Sequence, residues 1–161
     1  MRAAKEAVTR YEHMAETALM SIYNFPKPTL ACIKGYCIGG GINVAISCDM
    51  RIAASDAVFS VPAAKLGLGY RYSAMKNLID LIGPGAAKDL FFTARRVDAQ
   101  EALQLGLVSR VCAPDQLAAL LNEYTTALGH NAPITITAAK AITDHSSAMK
   151  PAINFLNIQT S

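Results

Sequence analysis

The chain has 161 residues and a net charge of +3, with 52% hydrophobic and 17% charged residues. That length suits one domain able to bury roughly 70% of its unfolded surface, and such a composition excludes disorder. The small, dispersed positive charge contains no run of Lys and Arg interleaved with aromatics, which excludes a nucleic-acid surface.

The apolar positions Ala7, Val8, Tyr11, Met14, Ala15, Ala18, Leu19 and Ile22 recur at helical spacing between charges. They predict an amphipathic helix over residues 2–23, ended before Pro26 and Pro28 and needing a partner surface in this chain or another. Basic Arg2, Lys5 and Arg10 are accompanied by Glu6, Glu12 and Glu16, so no transit peptide is expected here. Residues 29–33 have the length of a strand, and residues 42–48 read as a buried helix. Between them lie a predicted turn and then three consecutive glycines, Gly39, Gly40 and Gly41. The uncharged stretch 35–48 is glycine-broken and shorter than the roughly 20 apolar residues of a membrane span, so no membrane partner is expected.

Further along, residues 49–53 form a mostly apolar run, 55–57 a turn, and 58–61 a strand stopped by Pro62. Residues 63–72 are glycine-rich and predicted to be an irregular pocket wall. Ser73 is a candidate cap for a helix through Ile82, broken by Gly83, Pro84 and Gly85 and resuming over 86–93. Asp98 followed by Glu101 predicts a capping box for a helix over 99–105, ended by Gly106. A strand is predicted over 107–111, then helices over 115–128 and 133–143. No sequence repeat is visible, although the strand and helix alternation is compatible with a structural one. Cys32, Cys37, Cys48 and Cys112 form no C-x-x-C pair, so buried reduced thiols in a cytosolic-type compartment are expected.

Strand, glycines, helix is an order with a chemical use. Glycines let a ligand approach the backbone, and the first turn of a helix leaves its N–H groups unpaired at the positive end of the dipole. Such donors can hold a phosphate, a carboxylate or a developing oxyanion. The alternative is that the glycines only allow a tight turn and close packing against a neighbouring strand. A P-loop is excluded because Ile42 and Asn43 follow where Lys and Ser/Thr are required. A dinucleotide fingerprint fails because Val44 stands where its last glycine belongs. Neither cofactor class is expected.

Several segments together resemble the crotonase superfamily, the enoyl-CoA hydratase/isomerase family. They are Lys27-Pro28-Thr29 with Gly35-Tyr36, the triple glycine, Cys48-Asp49, Phe59-Ser60-Val61-Pro62 with Leu66-Gly67-Leu68, and Asp98-Ala99, Glu101-Ala102 and Gly106-Leu107-Val108. The set runs in family order over residues 24–142. The resemblance implies an α/β fold, a crotonase-like spiral of strand-strand-helix units with C-terminal helices, incomplete at both ends. On it, residues 1–161 are one domain, with an N-terminal helix (1–25), a spiral core (26–112) and a C-terminal helical part (113–161), of which 144–161 do not align. The resemblance also implies an acyl-CoA thioester as substrate, no cofactor, and assembly as a homo-oligomer, a trimer or hexamer. A cytoplasmic location is expected, or the mitochondrial matrix in a eukaryote.

In this family two backbone amides stabilise the enolate oxygen of the bound thioester. The resemblance assigns one to Gly40 and puts the other upstream, where this sequence does not reach. It places the two hydratase glutamates at Asn43 and Ala63. Asn43 can hydrogen-bond a water but cannot take its proton, and Ala63 can do neither. Gly39, Gly41, Tyr36, Leu66, Gly67 and Tyr70 are expected to line the substrate site. Lys65, Tyr70, Arg71 and Tyr72 are weighed as proton donors or carboxylate partners against the reading that Tyr70 fills space and Lys65 and Arg71 are solvated. Asp49 is expected to be a structural cap or ion-pair partner. His13, His130 and His145 have no catalytic partner at a recognisable spacing, and no metal-ligand spacing appears. Two functions stay open: an acyl-CoA enzyme of hydratase/isomerase descent, working by isomerisation, decarboxylation or thioester hydrolysis, and a catalytically silent binding or assembly subunit.

Overall fold

The computed structural model describes residues 2–148, so most of the unaligned segment 144–161 and the His145 side chain lie outside the described part. Two compact units, Met1–Asn131 and Ala132–Ser161, divide the chain. In the first unit the elements are α1 (Arg2–Tyr23), β1 (Leu30–Ile33), β2 (Tyr36–Ile38), α2 (Gly40–Ser47), β3 (Met50–Ala54), β4 (Val58–Ser60), α3 (Ala63–Leu66) and α4 (Tyr72–Thr93). They are followed by β5 (Val97–Asp98), α5 (Ala99–Gln104), β6 (Arg110–Cys112) and α6 (Leu117–His130). The second unit carries the single described helix α7 (Pro133–Ala148). This is the α/β class expected. Among the described residues, no helix is long and apolar enough to cross a membrane.

The alternation that the sequence leaves without a repeat is a structural repeat. β1, β2 and α2 form one turn of the chain, and β3, β4 and α3 form the next, stacked on it in parallel. Leu30 pairs with Met50 and Ile33 with Ala53, while Tyr36 pairs with Val58 and Ile38 with Ser60. β6 extends the first sheet in the order β1-β3-β6, and β5 closes the second in the order β2-β4-β5. Parallel strands of this kind are covered on both faces. Ala53 turns toward a core holding Ile42, Phe59 and Leu78, while Ile52 and Ala54 face Leu117 and Leu120 of α6.

Several local expectations need correction. β2 is a strand where only a turn before the glycines was expected, and residues 63–72 are not wholly irregular because α3 occupies their start. Arg71, in extended conformation and without a side-chain cap, precedes α4, so Ser73 lies inside the helix. The break in α4 is Gly83 alone, at φ 79° and ψ 162°. Pro84 then opens the second arm, where its missing N–H costs nothing. Asp98 caps α5 by accepting from the Glu101 amide at 2.8 Å. The Glu101 carboxylate does not return the bond: with Asp89 it holds the Arg95 guanidinium. β6 begins at Arg110, later than expected, because Leu107 folds back to donate to Ala102 O at 2.8 Å behind the left-handed Gly106.

The cysteines are free, but only Cys37 is buried; Cys48 and Cys112 are half-buried and Cys32 is exposed. Cys32 sits on β1, the edge of its sheet, outside the patch that α6 covers. α1 is helical over the expected residues, yet among its described side chains only Ala15, Leu19, Ile22 and Tyr23, on the C-terminal half, are half-buried. Val8, Tyr11 and Met14 remain 57%, 72% and 60% exposed.

Arg51 is the one charged residue within the buried strand β3, only 7% exposed. Its guanidinium donates to Leu107 O at 2.9 Å, Cys48 O at 2.7 Å, and Ala45 O and Asp49 O at 3.4 Å. It thereby satisfies carbonyls at the end of α2, where a cation also favours the dipole. Arg51→Met leaves these carbonyls without their donor, and urea denaturation should show a loss of about 3 kcal/mol in unfolding free energy.

Candidate functional site

The start of α2 is set by one unusual residue. Gly39 adopts φ 56° and ψ −111° at the N-cap position, a conformation that L residues with a Cβ avoid. Its own N–H is spent on Ser60 O at 3.0 Å, and its carbonyl accepts the first helical bond, from Asn43 N–H at 3.2 Å. Gly40, Gly41 and Ile42 lie between, and no acceptor for their amides is found among the described residues. Gly40 and Gly41 are exposed, whereas the Ile42 side chain is fully buried and anchors the turn.

Close packing requires none of the three glycines, and the tight turn requires only Gly39, through its left-handed backbone. A Cβ on Gly39 would lie 4.0 Å from Pro62 Cδ on a left-handed backbone, while at Gly40 and Gly41 it would meet nothing within 4 Å. At the positive end of the helix no side chain therefore covers Gly40 and Gly41, an arrangement suited to an anionic oxygen.

Asn43 follows Gly40 by three residues on the same face of α2. Its Oδ1 accepts a short hydrogen bond from the Tyr70 hydroxyl. Tyr70 is half-buried, and its ring meets Phe91 edge-on with centroids 5.1 Å apart. It therefore fills space, as one reading held, and also orients Asn43. Burial pushes its phenol from 10.0 up to about 12, keeping it protonated at neutral pH.

Ala63 is buried as the first residue of α3, immediately after the proline that touches the Gly39 turn. Among the remaining candidates, Tyr36, Leu66 and Tyr72 are 73%, 63% and 73% exposed. Gly67 ends α3 in left-handed conformation. Lys65 is exposed and Arg71 half-buried. The Arg96 guanidinium lies over the Tyr36 ring at 5.7 Å. The structure thus brings Gly39, Gly40, Gly41, Asn43 and Tyr70 around one end of α2, with Ala63 beside them, and leaves Tyr36, Leu66 and Gly67 on the surrounding surface.

Asp49 is structural, accepting from the Thr29 amide at 2.6 Å and the Thr29 hydroxyl at 2.9 Å, and so tying the end of α2 to β1. His13 is exposed, and His130 Nδ1 lies 2.8 Å from Thr126 O at the end of α6. Among the described residues, no group of three or more His, Cys, Asp or Glu could hold a metal. The sequence reading missed Arg51 as the clamp on α2; a lone arginine inside an apolar strand pattern was the available signal.

In an alkaline ultraviolet titration, one of the six tyrosines should ionise near pH 12, and Tyr70→Phe should remove that step. Because the folded phenol holds its proton more tightly than the unfolded one, Tyr70 contributes stability that is intact below pH 10 and lost between 10 and about 12.

The sequence profile of the enoyl-CoA hydratase/isomerase family matches residues 1–160. The short-chain enoyl-CoA hydratase of Clostridium acetobutylicum is 40% identical over 114 residues, covering 71% of this chain and 44% of that protein. The crystal structure of an enoyl-CoA hydratase/isomerase family protein from Hyphomonas neptunium superposes with a TM-score of 0.88 at 30% identity, over 95% of this chain and 58% of its own. A methylmalonyl-CoA decarboxylase in complex with 2-nitronate-propionyl-CoA gives a TM-score of 0.82 at 27% identity, over 87% and 54%. The chain spans half the length or less of the curated relatives it matches, 35% to 50%. Within those bounds, it belongs to the enoyl-CoA hydratase/isomerase family of the crotonase superfamily.

Proposed function

We propose that the protein binds an acyl-CoA thioester and stabilises negative charge developing on the thioester oxygen through the Gly40 amide. The observation that carries this reading is the set of uncommitted amides at the start of α2, left by a Gly39 turn that pairs its own N–H with Ser60. Donors fixed before the reaction need no reorganisation as charge appears, and each can contribute about 100-fold to 1,000-fold in rate. Family membership supplies the ligand class: relatives of this chain are named for acyl-CoA substrates, and one related decarboxylase was solved with a nitronate analogue of an acyl-CoA.

Hydration by the family's pair of glutamates is not the reading favoured. Asn43 and Ala63 stand at the positions that the resemblance gives to those glutamates, and an amide and a methyl group move no protons. Isomerisation, decarboxylation and thioester hydrolysis share the need for a stabilised oxyanion and remain within reach of the same amides. One observation favours a second reading, a catalytically silent binding or assembly subunit: Gly40 and Gly41 are exposed, with no described element covering them. In either case a homo-oligomer is proposed, with the exposed Val8, Tyr11 and Met14 stripe of α1 buried against another copy.

Incubation with crotonyl-CoA and a small acyl-CoA panel, beside calorimetry with the same ligands, separates the two. Turnover of any panel member supports the enzyme, binding without turnover the silent binding subunit, and absence of binding contradicts both, leaving the assembly role to a sedimentation measurement. Asn43→Glu combined with Ala63→Glu should raise crotonyl-CoA hydration about 10-fold or more, since a positioned acid or base is worth about 100-fold to 10,000-fold. An unchanged rate in the folded double variant counts against the assignment of those two positions.

A further inference from the structure

Asn43 is an amide at a position that the resemblance gives to a hydratase carboxylate, and its polarity is set by Tyr70. The Tyr70 hydroxyl donates to Asn43 Oδ1, and burial keeps that phenol protonated at neutral pH, so the proton is there to be donated. With the amide turned over, the phenolic proton would lose its one acceptor among the described residues. The bond therefore sorts the two ends of Asn43, with the oxygen against Tyr70 and the NH2 away from it. Asn43 Nδ2 has no acceptor among the described residues, and none of their buried side-chain nitrogens or oxygens lacks a partner, so Nδ2 is reachable from solvent. The cleft between α1, α2 and α4 that Asn43 also lines holds about 10 Å³, room for one water and none for a substrate. Any substrate contact of Asn43 is thus made at the Gly40 end. Residues 63–72, which include Ala63 and Tyr70, carry Lys65 and Arg71 and no carboxylate, so a negative group brought there meets no like charge from that segment.

We propose that Asn43, oriented by Tyr70, is a specificity-determining residue that selects acyl-CoA thioesters with an acceptor oxygen, keto or carboxylate, on the third acyl carbon. The inference rests on the acyl-CoA reading above and gives it a substrate class. Gly40 and Asn43 stand three residues apart and are neighbours on one face of α2. With the thioester oxygen on the Gly40 N–H, the third carbon lies two bonds from the thioester carbon, and an oxygen on it meets the Asn43 NH2 one turn along the helix. A saturated or 2-enoyl chain puts only carbon and hydrogen there and leaves the NH2 without an acceptor. Tyr70 touches no substrate in this scheme; it is a positioning residue that keeps the donor end of Asn43 turned toward the ligand.

Calorimetry with butyryl-CoA, acetoacetyl-CoA and malonyl-CoA tests this on the protein and on its Asn43→Asp and Tyr70→Phe variants. The third carbon of these ligands is a methylene, a ketone and a carboxylate. The unaltered protein should bind acetoacetyl-CoA, malonyl-CoA or both about 10-fold more tightly than butyryl-CoA, the worth of one hydrogen bond, and the ligand that gains tells keto from carboxylate. Asn43→Asp, similar in size but an acceptor, should abolish the preference and turn it against malonyl-CoA. Tyr70→Phe frees the amide to turn over and should reduce the preference. In amide-resolved nuclear magnetic resonance, the Asn43 side-chain N–H protons should move downfield with the preferred ligand and stay in place with butyryl-CoA, a response that a purely structural Asn43 would not give. Equal affinity for all three ligands, or a preference that survives in Asn43→Asp, overturns the role of Asn43 and leaves the Gly40 reading standing. A preference undiminished in Tyr70→Phe overturns the role of Tyr70. Binding of none of the three overturns the Gly40 reading and this inference together.

Discussion

The hydrogen bond from the Gly39 amide to Ser60 O sets the geometry of the whole site. It joins the end of β2 to the end of β4 and holds Gly39 in a conformation that only glycine adopts readily. The next three residues enter the helix with their amides directed away from any ladder. At the other end of α2, Arg51 and Asp49 close off the helix, one by donating to its final carbonyls and the other through Thr29. A helix of eight residues fixed at both ends cannot easily slide or rotate, so its first-turn donors are preorganised.

The stacked architecture explains how such a short helix is held. β1 and β2 of one turn lie beside β3 and β4 of the next, so every strand flanking α2 is itself paired in parallel. Ile42, Ala45 and Ile46 bury one side of α2 in the core, and the Asn43 side is left to face α1 and α4. Core packing and the Asn43 side chain thus lie within the same two turns of helix. Tyr70 bridges them, with its ring in contact with Phe91 and its hydroxyl on Asn43.

Much of this was legible in the sequence because local chemistry agrees with the global fold. The α1 periodicity, the Asp98 cap and the apolar strands each specify their element. What was not legible depends on partners distant in sequence. β2 is too short to declare itself and becomes a strand because β4 pairs with it. β6 shifts because the α5 cap consumes Leu107. Cys32 looks like a core residue until the sheet order shows β1 at an edge. At the site, the glycines announced the donors, but the Tyr70 bond to Asn43 spans 27 residues and the Arg51 bond to Leu107 spans 56, and neither has a local signature.

The central claim is that the Gly40 amide receives an anionic oxygen, and amide-resolved nuclear magnetic resonance reads it most directly. On titration with a nitronate analogue of an acyl-CoA, the Gly40 amide proton should move downfield and gain protection from exchange, with smaller changes at Gly41 and Ile42. Saturation of the protein by that ligand with the Gly40 resonance unmoved would contradict the account.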